Sequence, residues 1–285
     1  MTTSKLVLGT AQIGMDYGIA NTRGRIPLKE VHQIFDFAFL HGISILDTAT
    51  NYGDSERIIG GYIRGSANKF NIISKLPAVS DGSHAIKSLE QSLKILNVKK
   101  LYGYLFHDFN SFINNPSIFH QLFDHGGAEK IGFSVYSPEQ VTKLWELKIK
   151  FKIIQLPYNV FDRRFDKVMS RLREEGCEIH ARSAFLQGLV FKDVLTLGSH
   201  FDSIKPKLDR LKEISERTRI PLAALCLNYV INNRSIDKVV IGVDSLTNIS
   251  ELVSFTNMKL PKELIDYLDN LSVDDESILL PMNWK

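Results

Sequence analysis

Short runs of aliphatic and β-branched residues alternate along this chain with longer stretches whose apolar positions recur at helical spacing. That alternation is the signature of repeated βα units and a parallel sheet. Eight runs read as strands: Leu6–Gln12, Ser44–Ala49, Phe70–Leu76, Leu101–Asp108, Lys130–Tyr136, Lys152–Asn159, Cys177–Ala184 and Lys238–Asp244. Between the first two, Val31, Ile34, Phe35 and Ala38 fall at i, i+3, i+4 and i+7, and Gly42 follows as a helix stop. Ile86, Leu89, Leu93 and Leu96 repeat the pattern after Ser80-Asp81-Gly82-Ser83, a run suited to capping a helix N-terminus. Leu172 is followed by Glu174-Glu175-Gly176, another stop. Strand starts recur at about 30 residues, the length of one βα module. The exception is a long loop, Phe185 to Pro206, ahead of helices at Lys207–Thr218 and Leu222–Ile231. No linker, low-complexity tract or charge block divides the 285 residues. The pattern predicts one closed (β/α)₈ barrel spanning 1–285, with a doubly wound open sheet as the rival arrangement of the same modules.

Composition narrows the partners. With 44% apolar and 24% charged residues the chain can bury a large core. Its net charge of +3, from 35 basic and 32 acidic side chains, is small and dispersed. That offers no footprint for nucleic acid or a membrane surface. Cys177 and Cys226 have neither disulfide-scaffold nor zinc-site spacing, so no metal is expected and a reducing compartment is the default. The opening MTTSKLVLGTAQ lacks a signal-peptide core, and no run of about 18 apolar residues occurs. A cytoplasmic protein is the expectation; oligomeric state cannot be read.

In a barrel of this kind, chemistry sits at the C-terminal ends of the strands and the loops beyond them. Asp47 ends the second strand, Tyr52 follows on its loop, Lys75 ends the third and His107 ends the fourth. Adjacent strand ends converge on one patch of the rim. A phenol has a reference pKa of about 10, too high for easy proton exchange near neutrality. A buried ammonium beside it favours the phenolate, and a carboxylate keeps that ammonium charged and placed. A neutral imidazole can donate a hydrogen bond to a carbonyl oxygen on which negative charge develops. Together such groups bind an oxygen and supply its proton while hydride arrives at carbon. Taken singly each has a plainer role: Asp47 as a cap or an Arg57 partner, Tyr52 as a loop aromatic, Lys75 as a solvated charge, His107 as a core histidine. Their occurrence in order at three successive strand ends carries the chemical reading.

At this point the chain resembles the aldo-keto reductase family over nearly its whole length. Leu8-Gly9-Thr10-Ala11-Gln12 looks like the family's first-strand turn, and Leu46-Asp47-Thr48-Ala49 with Tyr52-Gly53 and Glu56 resembles its Asp–Tyr signature. The resemblance implies an oxidoreductase moving hydride between NADP or NAD and a small carbonyl or alcohol, sugar-like substrates included. It makes Tyr52 the general acid/base, Lys75 its activator, Asp47 the lysine's partner and His107 the carbonyl orienter. For the cofactor it implies contacts from Gly9, Thr10, Ala11 and Asp47. Ser134 matches the nicotinamide carboxamide segment, although Val135 stands where the family has Asn, and Gln155 matches the glutamine beneath the carboxamide. Arg182 stands where an aromatic commonly stacks on the nicotinamide. Its charge there opposes the oxidised ring, unless it turns to solvent or to a substrate carboxylate. Ser183, Phe185 and Gln187 line the implied pyrophosphate loop. Gly242, Asp244, Ser245 and Asn248 belong to the adenosine end, where Asp244 opposes a 2′-phosphate and argues for NADH or relaxed preference.

Glycine-rich nucleotide loops, metal-binding HExxH and GxSxG are absent from the sequence. His120 and His125 read as surface residues. A cofactor-binding sensor or auxiliary subunit is the alternative from another class, and a lyase or isomerase a third. The shortness of the Asn110–Asn115 segment suggests an open pocket that admits a bulky or sugar-like substrate; Phe161, Arg163, Arg164 and the tail Pro281–Trp284 are expected near it, with Trp284 either folding over the site or anchoring the tail.

Overall fold

The computed structural model describes residues 2–284. Eight parallel strands close into a barrel in chain order: β1 (Leu6–Gly9), β2 (Ile45–Asp47), β3 (Asn71–Leu76), β4 (Leu101–Phe106), β5 (Ala128–Ser134), β6 (Ile153–Pro157), β7 (Glu178–Arg182) and β8 (Lys238–Gly242). The barrel closes where Gly9 of β1 pairs with Gly242 of β8 and with Asp47 of β2. All eight expected strands are present, and the open-sheet rival is excluded. Most end about two residues earlier than their apolar runs suggested; beyond β7, for example, Ser183 turns at once to a left-handed φ of 62°. After β1, Ala11–Gly14 forms a short helical turn.

Side chains inside the barrel alternate with those facing the helices. Val7, Ile45, Ile73, Leu105 and Ile153 form one fully buried inner layer, with Val240 packed against it. Two residues further along the same strands stand Gly9, Asp47, Lys75, His107, Gln155 and Gly242. The period of two that builds the inner layer therefore delivers these groups to the mouth. Outside, Phe133 of β5 packs against Phe106, Phe112 and Phe119 beneath the helix Ser117–His125.

Local signals account for the helices. Leu28–Leu40 buries Val31, Ile34, Phe35 and Ala38, and Gly42 takes the left-handed φ of 83° that ends it. Gly82–Leu96 starts at Asp81, whose carboxylate accepts from the His84 amide at 3.0 Å. The helix expected at Lys207 begins earlier, at Lys205, with Pro206 in its first turn, where no donor is missed. The preceding loop contains 3₁₀ turns at Leu186–Phe191, Val194–Thr196 and Ser199–Phe201. No helix among the described residues is long and apolar enough to cross a membrane.

Candidate active site

Lys75 is the centre of the site. Its side chain is 1% exposed and its ammonium donates to three acceptors: Asp47 Oδ1 at 2.6 Å, the Thr48 carbonyl at 2.9 Å and the Tyr52 hydroxyl at 3.4 Å. An ammonium has three donors, so all are engaged. Burial pushes its pKa down, but Asp47 and then Tyr52 outweigh that and raise it overall, so Lys75 is charged at neutral pH. Asp47 is 2% exposed, and its second oxygen accepts from Gln155 Nε2 at 2.8 Å.

The loop carrying Tyr52 is fixed by a buried chain of hydroxyls. Thr48 Oγ1 donates to Ser55 Oγ at 3.0 Å, Ser55 to Thr10 Oγ1 at 2.8 Å, and Thr10 to the Asp47 carbonyl at 2.9 Å. The same loop lies directly on the β1 turn, where a Cβ on Gly14 would stand 1.8 Å from the Tyr52 carbonyl oxygen. Only glycine permits that approach, so Gly14 sets the height of the tyrosine above the lysine.

His107 stands edge-on to Tyr52, ring centroids 5.9 Å apart at 87°. Its ring nitrogens have no hydrogen-bond partner among the described residues. Burial first, and the Lys75 ammonium second, push its pKa down to about 4, with Asp47 opposing. The imidazole is thus neutral above that value. The expected consequence is a kcat/KM profile without a His107 inflection between about pH 5 and 8, and a ring titration near 4 by NMR. An inflection near the ordinary histidine value of about 6.5 that vanishes in His107→Gln would contradict it.

Above this group opens a cavity of about 560 Å³. It gathers Gly9, Thr10, Ala11, Asp47, Tyr52, His107, Ser134, Gln155, Arg182, Ser183, Phe185, Gln187, Gly242, Asp244 and Asn248, drawn from across the barrel mouth. Ser134 is 2% exposed and its hydroxyl is unpartnered among the described residues. Gln155, 1% exposed, gives its amide to Asp47 and keeps its carbonyl oxygen unengaged there. Arg182 stacks on the Tyr136 ring at 4.4 Å and donates to the Val135 carbonyl at 3.1 Å.

Several expectations need correction. Ser245 does not line the cavity; its hydroxyl caps the helix Leu246–Phe255 by accepting from the Asn248 amide at 3.1 Å, and it donates to Asp244 Oδ1 at 2.9 Å. Phe161 is buried in the core, Arg163 pairs with Asp166 and Asp269, and Arg164 pairs with Asp162 and Glu276, all away from the cavity. The segment after β4 is a short helix, Phe109–Asn114, capped by Asp108, and none of its residues lines the cavity, in keeping with the open pocket its shortness suggested. Pro281 and Met282 do line the cavity, whereas Trp284 anchors the tail by edge contact with Phe201 and a 2.8 Å bond to the Ile278 carbonyl. Arg57 pairs with Asp54, leaving Asp47 to Lys75.

Other lining residues were missed. Tyr136 extends the period of two one step beyond Ser134 and could have been found that way. Tyr17, which accepts from Gln187 Nε2 at 2.7 Å, sits on an irregular loop with no pattern to betray it. At the far end, Glu30 accepts from the Leu246 amide at 3.1 Å and pairs with Arg23 at 2.9 Å, while Arg23 also donates to the Asp244 carbonyl.

Comparison with known proteins agrees with this geometry. The sequence model of the aldo/keto reductase family matches residues 5–273. The chain is 26% identical to the L-glyceraldehyde 3-phosphate reductase of Escherichia coli O157:H7, covering 87% of this chain and 85% of that protein. Its fold is similar to that of the aldo-keto reductase AKR11C1 from Bacillus halodurans in its holo form, with a TM-score of 0.78 at 19% identity over 95% of this chain and 93% of that one. It is also similar to the glycerol dehydrogenase AKR11B4 from Gluconobacter oxydans, with a TM-score of 0.74 at 21% identity over 97% and 92% of the two chains. The chain belongs to the aldo/keto reductase family, an oxidoreductase that uses a nicotinamide cofactor to reduce carbonyls.

Proposed function

We propose that Tyr52 protonates the oxygen of a small, sugar-like carbonyl substrate, that His107 orients it, and that NADH is the preferred reductant. The observation that carries the reading is the line of Asp47, Lys75 and Tyr52, at 2.6 and 3.4 Å, beneath an open cavity with a neutral imidazole beside the phenol. The 26% identical relative is named for L-glyceraldehyde 3-phosphate, a small hydroxylated aldehyde, which supports the substrate class.

The cofactor suits the groups left over in the floor. A carboxamide offers donors and an acceptor, the complement of the Gln155 carbonyl and the Ser134 hydroxyl. Bound there, reduced nicotinamide supplies hydride. Tyr52 donates its proton to the substrate oxygen, and Lys75 stabilises the phenolate left behind. The neutral His107 ring donates to the same oxygen and holds the carbonyl in place, favouring the transition state over the ground state as charge builds. Asp47, tied to Gln155, keeps the ammonium from drifting towards the cavity.

Preference for NADH rests on the far end. The carboxylates of Asp244 and Glu30 flank the start of the helix Leu246–Phe255, and Glu30 already takes the Leu246 amide that an incoming anion would otherwise use. The Arg23 guanidinium, then the Leu246 amide, hold Glu30 below the usual carboxylate range, so it stays charged. A ribose 2′-hydroxyl can donate to such groups; a 2′-phosphate meets two carboxylates against the single Arg23 guanidinium, which Glu30 already holds. Calorimetric titration should give NADH at least about tenfold tighter than NADPH, with the gap narrowed in Glu30→Gln. Tighter NADPH binding would overturn the preference.

A further inference from the structure

Among the described residues lining the cavity, Arg182 is the single lysine or arginine. It makes no ion pair with any described carboxylate. The two lining acids are otherwise engaged: Asp47 with Lys75, and Asp244, at the far end, with Ser245. The position of the guanidinium follows from strand register. Ser134 pairs with Gln155 across β5 and β6, and Pro157, two residues beyond Gln155, pairs with Arg182 across β6 and β7. Arg182 therefore starts one inner layer above Gln155. Its Nη2 then reaches over the end of β6 to the carbonyl of Val135, next to Ser134, and the group stacks on Tyr136. The cation thus contacts the residues that follow Ser134 and lines the same cavity as Ser134 and Gln155, whose hydrogen-bonding capacity is left over. Its charge is felt nearby, since it opposes protonation of His107 and favours ionisation of Tyr17.

The two redox states of a nicotinamide differ by one positive charge on the ring. A fixed, unpaired cation in a partly enclosed site interacts with that difference and with little else about the cofactor. We propose that Arg182 sets the redox selectivity of the cofactor site, weakening the oxidised nicotinamide relative to the reduced one. The effect favours binding of the reduced cofactor and release of the spent one, at the cost of opposing the positive charge that builds on the ring as hydride leaves. The proposal rests on the reading of this cavity as the nicotinamide site. It also decides between the two roles open to this arginine, since an arginine serving only a substrate carboxylate has no reason to sense the cofactor's charge.

The test is calorimetric titration of the wild type, Arg182→Met and Arg182→Lys with NADH and NAD⁺, and in parallel with NADPH and NADP⁺. Arg182→Met keeps length and apolar contact while removing charge; Arg182→Lys keeps charge and controls for lost stacking. The ratio of oxidised to reduced dissociation constants should fall by about tenfold in Arg182→Met and remain near the wild-type ratio in Arg182→Lys. An unchanged ratio in Arg182→Met, with both forms still binding, overturns the proposal and leaves the cofactor reading standing. A higher KM for carboxylate-bearing substrates alongside that unchanged ratio gives the arginine to the substrate instead. Binding of no cofactor by the wild type overturns the cofactor reading and this proposal together.

Discussion

Replacing Tyr52 by Phe is expected to lower kcat by about 10²–10⁴-fold, the usual contribution of a positioned general acid, while leaving cofactor affinity within a few-fold of wild type. The change removes one oxygen, which lies 3.4 Å from the Lys75 ammonium and faces the cavity. The ring, its edge contact with His107 and its place over Lys75 at 4.8 Å are retained by phenylalanine. The loss therefore reports proton transfer and oxygen binding rather than collapse of the loop, which the hydroxyl chain through Ser55 holds independently. Steady-state rates of reduced-nicotinamide oxidation, set beside equilibrium binding, check this. A variant that turns over at the wild-type rate removes Tyr52 from the mechanism.

The second large effect concerns Lys75, and it combines activity with stability. Lys75→Met leaves the Asp47 carboxylate buried, with Gln155 as its remaining side-chain donor. Removing one partner of a buried ion pair costs about 3–5 kcal/mol, because the other charge loses its compensation while staying out of water. On a chain of this length that corresponds to a fall in Tm on the order of 10 °C. Turnover should drop at least as far as in Tyr52→Phe, since the phenol loses the ammonium that stabilises its anion. The double variant Asp47→Asn/Lys75→Met should regain most of the stability and none of the activity, separating the two roles of the lysine. Thermal denaturation of the single and double variants measures it. If Lys75→Met melts like the wild type, the pair is not the buried element described here.

The barrel could be read from sequence because each strand carries its own apolar run, and the closed parallel sheet was the simplest way to bury eight of them. Asp47, Lys75 and His107 were found by the same logic. Each stands two positions after an inward apolar residue (Ile45, Ile73 and Leu105), so one period supplies both core and chemistry. Strand ends were overextended because apolar content does not register where the backbone turns away, as at the helical turn Ala11–Gly14 after β1 and the left-handed Ser183 after β7. Groups that reach the cavity from non-repeating segments left no trace: Tyr17 on the β1 loop, and Met282 after the last helix. Glu30, which stands behind the cavity at the start of the helix Leu246–Phe255 and not in its lining, was hidden for another reason. It sits on the solvent side of an amphipathic helix, where a charge is unremarkable until the fold brings the Leu246 amide to it. Ser245 was assigned to the cofactor because a hydroxyl at the end of β8 suits a phosphate, but the same position is the N-cap of the next helix, and the cap won.

The central claim is that Tyr52 and His107 act on one substrate oxygen beneath a nicotinamide. It is tested most directly by a double-mutant cycle on aldehyde-dependent oxidation of NADH, with wild type, Tyr52→Phe, His107→Gln and the double variant compared at saturating cofactor. Groups that serve a single oxygen lose their effects together, so the double variant should be little worse than Tyr52→Phe alone. Losses that simply multiply, or a double variant that turns over near the wild-type rate, would contradict the account.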